Sequence, residues 1–143
     1  MTYLCTMGIC IGLDIGTART GIAESDPSST FAFPMRCVRT DDLLDDLRSH
    51  YQNEAIDGLV IGLPKRLNGE PTHGTGIAQS VAVTIQKAFP SWTIHWEDER
   101  FTSKIAAHAA AISGNRKAVK KDKGKLDASA AAIILDSYLT HKS

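Results

Sequence analysis

The chain has no surplus of either charge. Its 16 basic residues balance its 16 acidic ones, so the global basic signature that marks many nucleic-acid binders is missing. It has no apolar run approaching the roughly 20 residues that a membrane-spanning helix needs. No basic segment followed by a long apolar core stands near its start, so no secretory signal is expected. Its three cysteines, Cys5, Cys10 and Cys37, are odd in number and form no C-x-x-C pair. That argues against a disulfide framework and against a zinc site, and reads as free thiols in a reducing cytoplasm. There is no internal repeat, low-complexity tract or linker. A length of 143 residues fits a single domain over 1–143 that buries a core without staples.

What the chain does have is charge placed unevenly. Residues 41–57 hold six acids and one arginine. Residues 115–125 hold Arg116, Lys117, Lys120, Lys121, Lys123 and Lys125 against Asp122 alone. Such a local concentration can steer a polyanion where the overall charge cannot. The plainer reading is a solvated loop.

Hydrophobic patterning gives the element order. Residues 8–14 are β-like and apolar, 16–20 turn the chain, and 21–24 return as the second strand of a hairpin. Residues 31–39 read as a third strand, with Pro34 favouring an edge or a bulge. Thr40 is placed to cap a helix that carries Asp41 and Asp42 in its first turn and Leu43, Leu44, Leu47 and Tyr51 on one face. Residues 57–63 are almost wholly apolar, as in a central strand covered on both sides. A polar loop, 64–76, leads to a helix with Ile77, Val81, Ile85 and Phe89 on one stripe. Residues 92–96 alternate as a fifth strand. Residues 102–112 form an alanine-rich helix, 114–124 a basic loop and 126–139 a final helix. Three strands followed by strands alternating with helices predict an α/β mixed sheet with helices packed on its faces.

Three acidic positions stand out. Asp14 ends the first strand among apolar neighbours, where an ionised carboxylate needs a partner or a metal. It could equally accept hydrogen bonds from amides of the Asp-Ile-Gly-Thr corner. Asp98 and Glu99 follow the fifth strand, where they could face a cleft or could serve a helix capped by Thr102 or Ser103. Asp127 opens the last helix among small residues that allow close packing, or it merely favours the helix dipole. Hard oxygen ligands converging on a space about 4 Å wide are what two-metal phosphodiester hydrolysis requires. Lys65 and Arg66, in the loop after the fourth strand, could contact phosphates or simply flank a turn at Asn68 and Gly69. His73 and His95 lack ligand spacing.

The stretches GLDIGTARTGIA, VIGLPKRLNGEPT, WEDERFTS and KGKLDASAAAIIL occur in this order and together resemble the YqgF/RuvX family, pre-16S rRNA nucleases and Holliday junction resolvase homologues. The resemblance covers residues 8–140. It implies an RNase H-like fold with a five-stranded mixed sheet in the order 3-2-1-4-5, the first three strands antiparallel. It implies Asp14, Glu99 and Asp127 as catalytic acids, and Asp14, Asp98, Glu99 and Asp127 as ligands for Mg²⁺ or Mn²⁺. It implies nucleic-acid contacts from Arg19, Lys65, Arg66, Arg100, Arg116, Lys117, Lys120 and Lys121. Where the related RuvC resolvases carry a glutamate at the end of the fourth strand, this chain has Gly62, Leu63 and Pro64.

The function expected is a cytoplasmic, metal-dependent endonuclease that processes the 5′ end of pre-16S rRNA, as a monomer or weak homodimer. Resolution of four-way DNA junctions and nucleic-acid binding without catalysis are the alternatives. The opening Asp-x-Gly-Thr-x-x-Thr also resembles the phosphate loop of the actin and sugar-kinase superfamily. Those proteins close two such domains around a nucleotide, and this chain has room for one.

Overall fold

The computed structural model describes residues 8–63, 73–98 and 123–142. Glu99, Arg100, Lys65, Arg66, Arg116, Lys117, Lys120 and Lys121, and the helix expected over 102–112, lie outside the described residues.

Five strands form one sheet. They are β1 (Ile9–Ile15), β2 (Arg19–Ser25), β3 (Ala32–Arg39), β4 (Ile56–Leu63) and β5 (Ile94–Asp98). Their order is β3-β2-β1-β4-β5. β1 pairs antiparallel with β2, and β2 with β3, whereas β4 runs parallel to both β1 and β5. This is the mixed sheet and strand order that the sequence led us to expect. The helices are α1 (Leu43–Tyr51), α2 (His73–Ala88) and α3 (Lys123–Lys142).

Side chains alternate across each strand, and the alternation builds two separate cores. On one face Ile11, Leu13 and Ile15 of β1 join Ile22, Leu59 and Ile61 beneath Leu43, Leu47 and Tyr51 of α1 and Ala78, Ala82 and Ile85 of α2. On the other, Cys10, Ala23 and Val60 pack against Ala131, Ile134, Leu135 and Leu139 of α3. Each fully buried Leu or Ile contributes about 1.5–3 kcal/mol relative to exposure, and most of them belong to the first face.

Several boundaries differ from the sequence reading, each for a local reason. Thr40 is not a helix cap. It begins a short 3-10 turn, Thr40–Asp42, whose preceding residue is Arg39. Its hydroxyl instead donates to the Gly16 carbonyl at 2.7 Å and meets the Thr20 hydroxyl at 3.0 Å. Its amide donates to the Ala18 carbonyl at 2.9 Å. Thr40 therefore ties the β1–β2 turn to the start of α1. The fifth strand begins two residues late because Trp92 is buried in the preceding turn, stacked on Phe89 with centroids 4.0 Å apart. Its carbonyl accepts from Gln86 Nε2 at 2.8 Å. α3 starts at Lys123, within the expected loop, so Asp127 falls beyond its first turn. The dipole's preference for acids fades past that turn, which weakens the plain dipole reading of Asp127. Pro34 is both at an edge and at a bulge: β3 is the outermost strand, and its register with β2 shifts between Ile22 and Ala23.

Candidate functional site

Asp14 is the penultimate residue of β1 and is half-buried. Its parity is that of Cys10 and Gly12, so it stands on the face covered by α3. Gly12 makes that cover close. A Cβ there would lie 2.7 Å from Leu135 Cβ and 2.9 Å from the Ala131 carbonyl oxygen, so any side chain would push the helix away. The helix backbone thus rests on the strand two residues before Asp14. Asp127 stands one turn before Ala131 on the same helix.

The register extends this row across the sheet. Leu13 pairs with Ile61, which puts Gly62 beside Asp14, and Gly62 pairs with Glu97. Asp14 and Glu97 therefore occupy one face two strands apart, about 10 Å between backbones, and Gly62 contributes no side chain between them. The same alternation sets Asp98, paired with Leu63, on the opposite face from Asp14. Register thus separates the two acids that the sequence reading grouped as metal ligands, because neighbours along a strand point to opposite faces.

Glu97 was not singled out from the sequence, yet it is the buried acid of β5, 8% exposed. Ser137 Oγ donates to its Oε1 at 3.2 Å, and His141 Nε2 lies 3.4 Å from the same oxygen. One row back, the His95 ring packs on Tyr138 with centroids 4.8 Å apart. Burial pushes the Tyr138 phenol above its ordinary range, and the nearby Cys10 thiol and Glu97 carboxylate add to the shift. Odd numbering, as in His95 and Glu97, was the available signal for this face, but only pairing with β4 says which face α3 covers.

Arg19 begins β2 and is exposed. Through Gly21 and Ala23 its parity is that of the α3 face, and its cross-strand partner on β3 is Arg39. Like charges directly opposite repel, and Arg39 turns its guanidinium to Asp41 at 3.8 Å. Arg39 was also absent from the sequence candidates. Among the described residues no group of three His, Cys, Asp or Glu side chains stands together as a metal site. The donors at hand, carboxylate oxygens, are nevertheless the hard ligands that Mg²⁺ and Mn²⁺ take.

A family model described as "RuvX: Holliday junction resolvase" matches residues 8–141. The chain belongs to the RuvX family. Among curated RuvX relatives, proteins named "Putative pre-16S rRNA nuclease" match over nearly their whole length. That of Porphyromonas gingivalis is 38% identical over 93% of this chain and 96% of its own. Those of Flavobacterium psychrophilum and Chlorobaculum tepidum are 34% and 35% identical, covering 92% and 93% of this chain and 96% and 94% of theirs. The family and its relatives carry the names of nucleases, which are hydrolases of phosphodiester bonds. Among solved structures, Thermus thermophilus RuvC in complex with a Holliday junction substrate aligns with a TM-score of 0.55 at 10% identity. The alignment covers 94% of this chain and 95% of RuvC. At that identity the likeness speaks for the fold, which is RNase H-like. No helix among the described residues is long and apolar enough to cross a membrane.

Proposed function

We propose that this RuvX protein is a cytoplasmic, divalent-metal-dependent endonuclease that acts on structured RNA, trimming the 5′ end of the 16S rRNA precursor. One observation carries the reading: Asp14 lies at the end of the central strand, on the face that α3 approaches over Gly12, with Asp127 one turn from that contact. Asp14, Glu99 and Asp127 are the residues that would hold Mg²⁺ or Mn²⁺. Asp98 lies on the other face from Asp14 and is left out of the set. A divalent ion so held supplies Lewis-acid polarisation of a phosphoryl oxygen and templating of the attacked phosphate.

This chain's own residues have the remaining tasks. Arg19 and Arg39, at the corner next to the turn, take phosphates on either side of the scissile bond. Lys65, Arg66, Arg100, Arg116, Lys117, Lys120 and Lys121 extend the grip along the backbone, without reading sequence. Affinity then falls as salt rises. The names of the curated relatives support ribosomal precursor RNA as the substrate. The family description favours a second reading, four-way DNA junctions.

The test is cleavage of an RNA spanning the precursor junction, beside a four-way DNA junction, with Mg²⁺ or Mn²⁺. Wild type is expected to cut the RNA. Asp14→Asn and Asp127→Asn are expected to lose at least about 100-fold, the upper end of what loss of a mere outer-shell partner costs. Unchanged cleavage in folded variants sinks the proposal. Cutting of the DNA junction alone transfers the reading to resolution, and RNA binding without cleavage at any metal concentration reduces it to a binding module.

A further inference from the structure

β5 is the least supported strand of the sheet. It is five residues long, and among the described residues it pairs with β4 alone. Among the described residues, the large aliphatic core beneath α1 and α2 reaches it only through the partly buried Ile94. On its other face two side-chain contacts attach it to the C-terminal half of α3. His95 packs against Tyr138, and the Glu97 carboxylate takes Ser137 and His141 on a single oxygen. A carboxylate that is 8% exposed is costly to bury unless it is partnered. Its two partners among the described residues both come from α3, so the strand end and the helix hold each other in place.

The chemistry-bearing residues of the proposed function straddle this joint. Glu99 follows β5 directly, two residues beyond Glu97, and Asp127 belongs to α3. Asp14 stands on β1, two strands away across β4, two residues past the close rest of α3 on Gly12. We propose that Glu97 is a positioning residue: it clamps the end of β5 to α3 through Ser137 and His141, and so sets the spacing between the acid after β5 and the acid on the helix. This inference rests on the proposed metal-dependent nuclease reading. Glu97 acts through its α3 partners and is not itself assigned to the metal.

The clamp makes a prediction that fold stability alone does not. Mn²⁺ binding is measured by electron paramagnetic resonance of the free ion, with thermal unfolding followed in parallel and no RNA present. The proteins are wild type, Asp14→Asn, Glu97→Ala, the double variant Ser137→Ala/His141→Ala, and Tyr51→Phe. Tyr51→Phe removes a hydroxyl that donates to Glu24 on the opposite face and serves as the stability control. Wild type binds Mn²⁺, and Asp14→Asn abolishes binding. Glu97→Ala and the double variant each raise the Mn²⁺ Kd roughly 10-fold, the lower end for loss of an outer-shell partner. Tyr51→Phe leaves the Kd unchanged. An unchanged Kd in Glu97→Ala overturns the inference and leaves the nuclease reading standing. So does a weakened Kd in Glu97→Ala with a wild-type Kd in the double variant, since Glu97 would then act without its α3 partners. Absence of Mn²⁺ binding by wild type, or full binding by Asp14→Asn, overturns the nuclease reading itself and this inference with it.

Discussion

The two faces of the sheet are built from alternate residues of the same strands and are put to different uses. Beneath α1 and α2 the strands present Ile11, Leu13, Ile15, Ile22, Leu59 and Ile61, long aliphatic side chains that hold the helices off the backbone and fill the gap. Beneath α3 they present Cys10, Gly12, Ala23, Gly58 and Val60, and finally the acids Asp14 and Glu97. Polar groups on the first face bond to one another. Arg36 Nε lies 2.8 Å from both oxygens of Asp46, and its Nη1 donates to Tyr51 at 3.2 Å. Tyr51 in turn donates to Glu24. Burial pulls the Arg36 pKa down most, yet its bonds to Asp46 and Tyr51 and their charges together outweigh it and the net shift is upward. Burial and the bond to Glu24 likewise push the Tyr51 phenol well above its ordinary range. One face thus pairs its charges with one another, with only Arg36 Nη2 left buried without a partner among the described residues, whereas the other brings a helix near the backbone and places acids at the strand ends.

The sharpest way to break this contrast is a pair of neighbouring substitutions, one for each face. Leu13→Ala opens a void in the aliphatic core and is expected to cost about 2–5 kcal/mol of stability. The loss is read from the urea midpoint. Because Leu13 points away from α3, the surviving folded protein should cleave RNA within about twofold of wild type, a difference of under 0.5 kcal/mol. A larger fall in the turnover of folded protein would mean that the two faces are not independent.

Gly12→Ala is the mirror experiment, with the smaller effect on stability and the larger one on activity. The added methyl would meet Leu135 Cβ at 2.7 Å and a main-chain oxygen at 2.9 Å. Neither can turn aside, because the Cβ of Leu135 and the carbonyl of Ala131 both move only with the helix backbone. Overpacking of this kind costs about 1–3 kcal/mol. The displaced helix carries Asp127, so cleavage should drop about 10-fold or more, as for a disturbed outer shell. Full activity in Gly12→Ala would show that the close rest of α3 on β1 has no part in the chemistry.

How far all this could be read in advance follows from the physics of each element. The hairpin, the central strand and the amphipathic α2 were legible because alternation and 3.6-residue periodicity are local. Strand order came with the resemblance of four dispersed motifs. Thr40 misled because a threonine before two aspartates is the ordinary cap pattern, while its actual acceptor, the Gly16 carbonyl, is 24 residues away. Asp14 was legible as an acid out of place. The different positions of Glu97 and Asp98 were not, because three successive acids look alike until the pairing of Gly62 with Glu97 and of Leu63 with Asp98 assigns them to opposite faces. Arg39 escaped notice for the same reason: only the β2–β3 register sets it against Arg19.

A second aspartate sharpens the meaning of Asp14, with the smallest effect of the set. Asp26 begins the turn after β2, and its Oδ1 accepts from the amides of Thr30 at 2.8 Å and Phe31 at 2.7 Å. The Ser28 hydroxyl donates to its other oxygen. These bonds, that from Phe31 foremost, lower its pKa from 3.8 to about 2. This is the turn-amide role that was one of two readings of Asp14, found at the other end of the hairpin. The sign of its pH dependence follows. The folded carboxyl binds its proton less readily than the unfolded one, so the contribution is full above the unfolded value and is lost as pH falls through about 2. Urea midpoints of wild type and Asp26→Asn, measured from pH 5 downward, should therefore converge as acid protonates the wild-type carboxyl. At neutral pH the variant should cleave RNA as wild type does, because the turn follows the end of β2 beside the start of β1, at the end of the sheet opposite Asp14. If Asp26→Asn instead impaired cleavage as strongly as Asp14→Asn, a strand-end aspartate would serve activity merely by bracing its turn. The assignment of chemistry to the α3 face would then lose its ground.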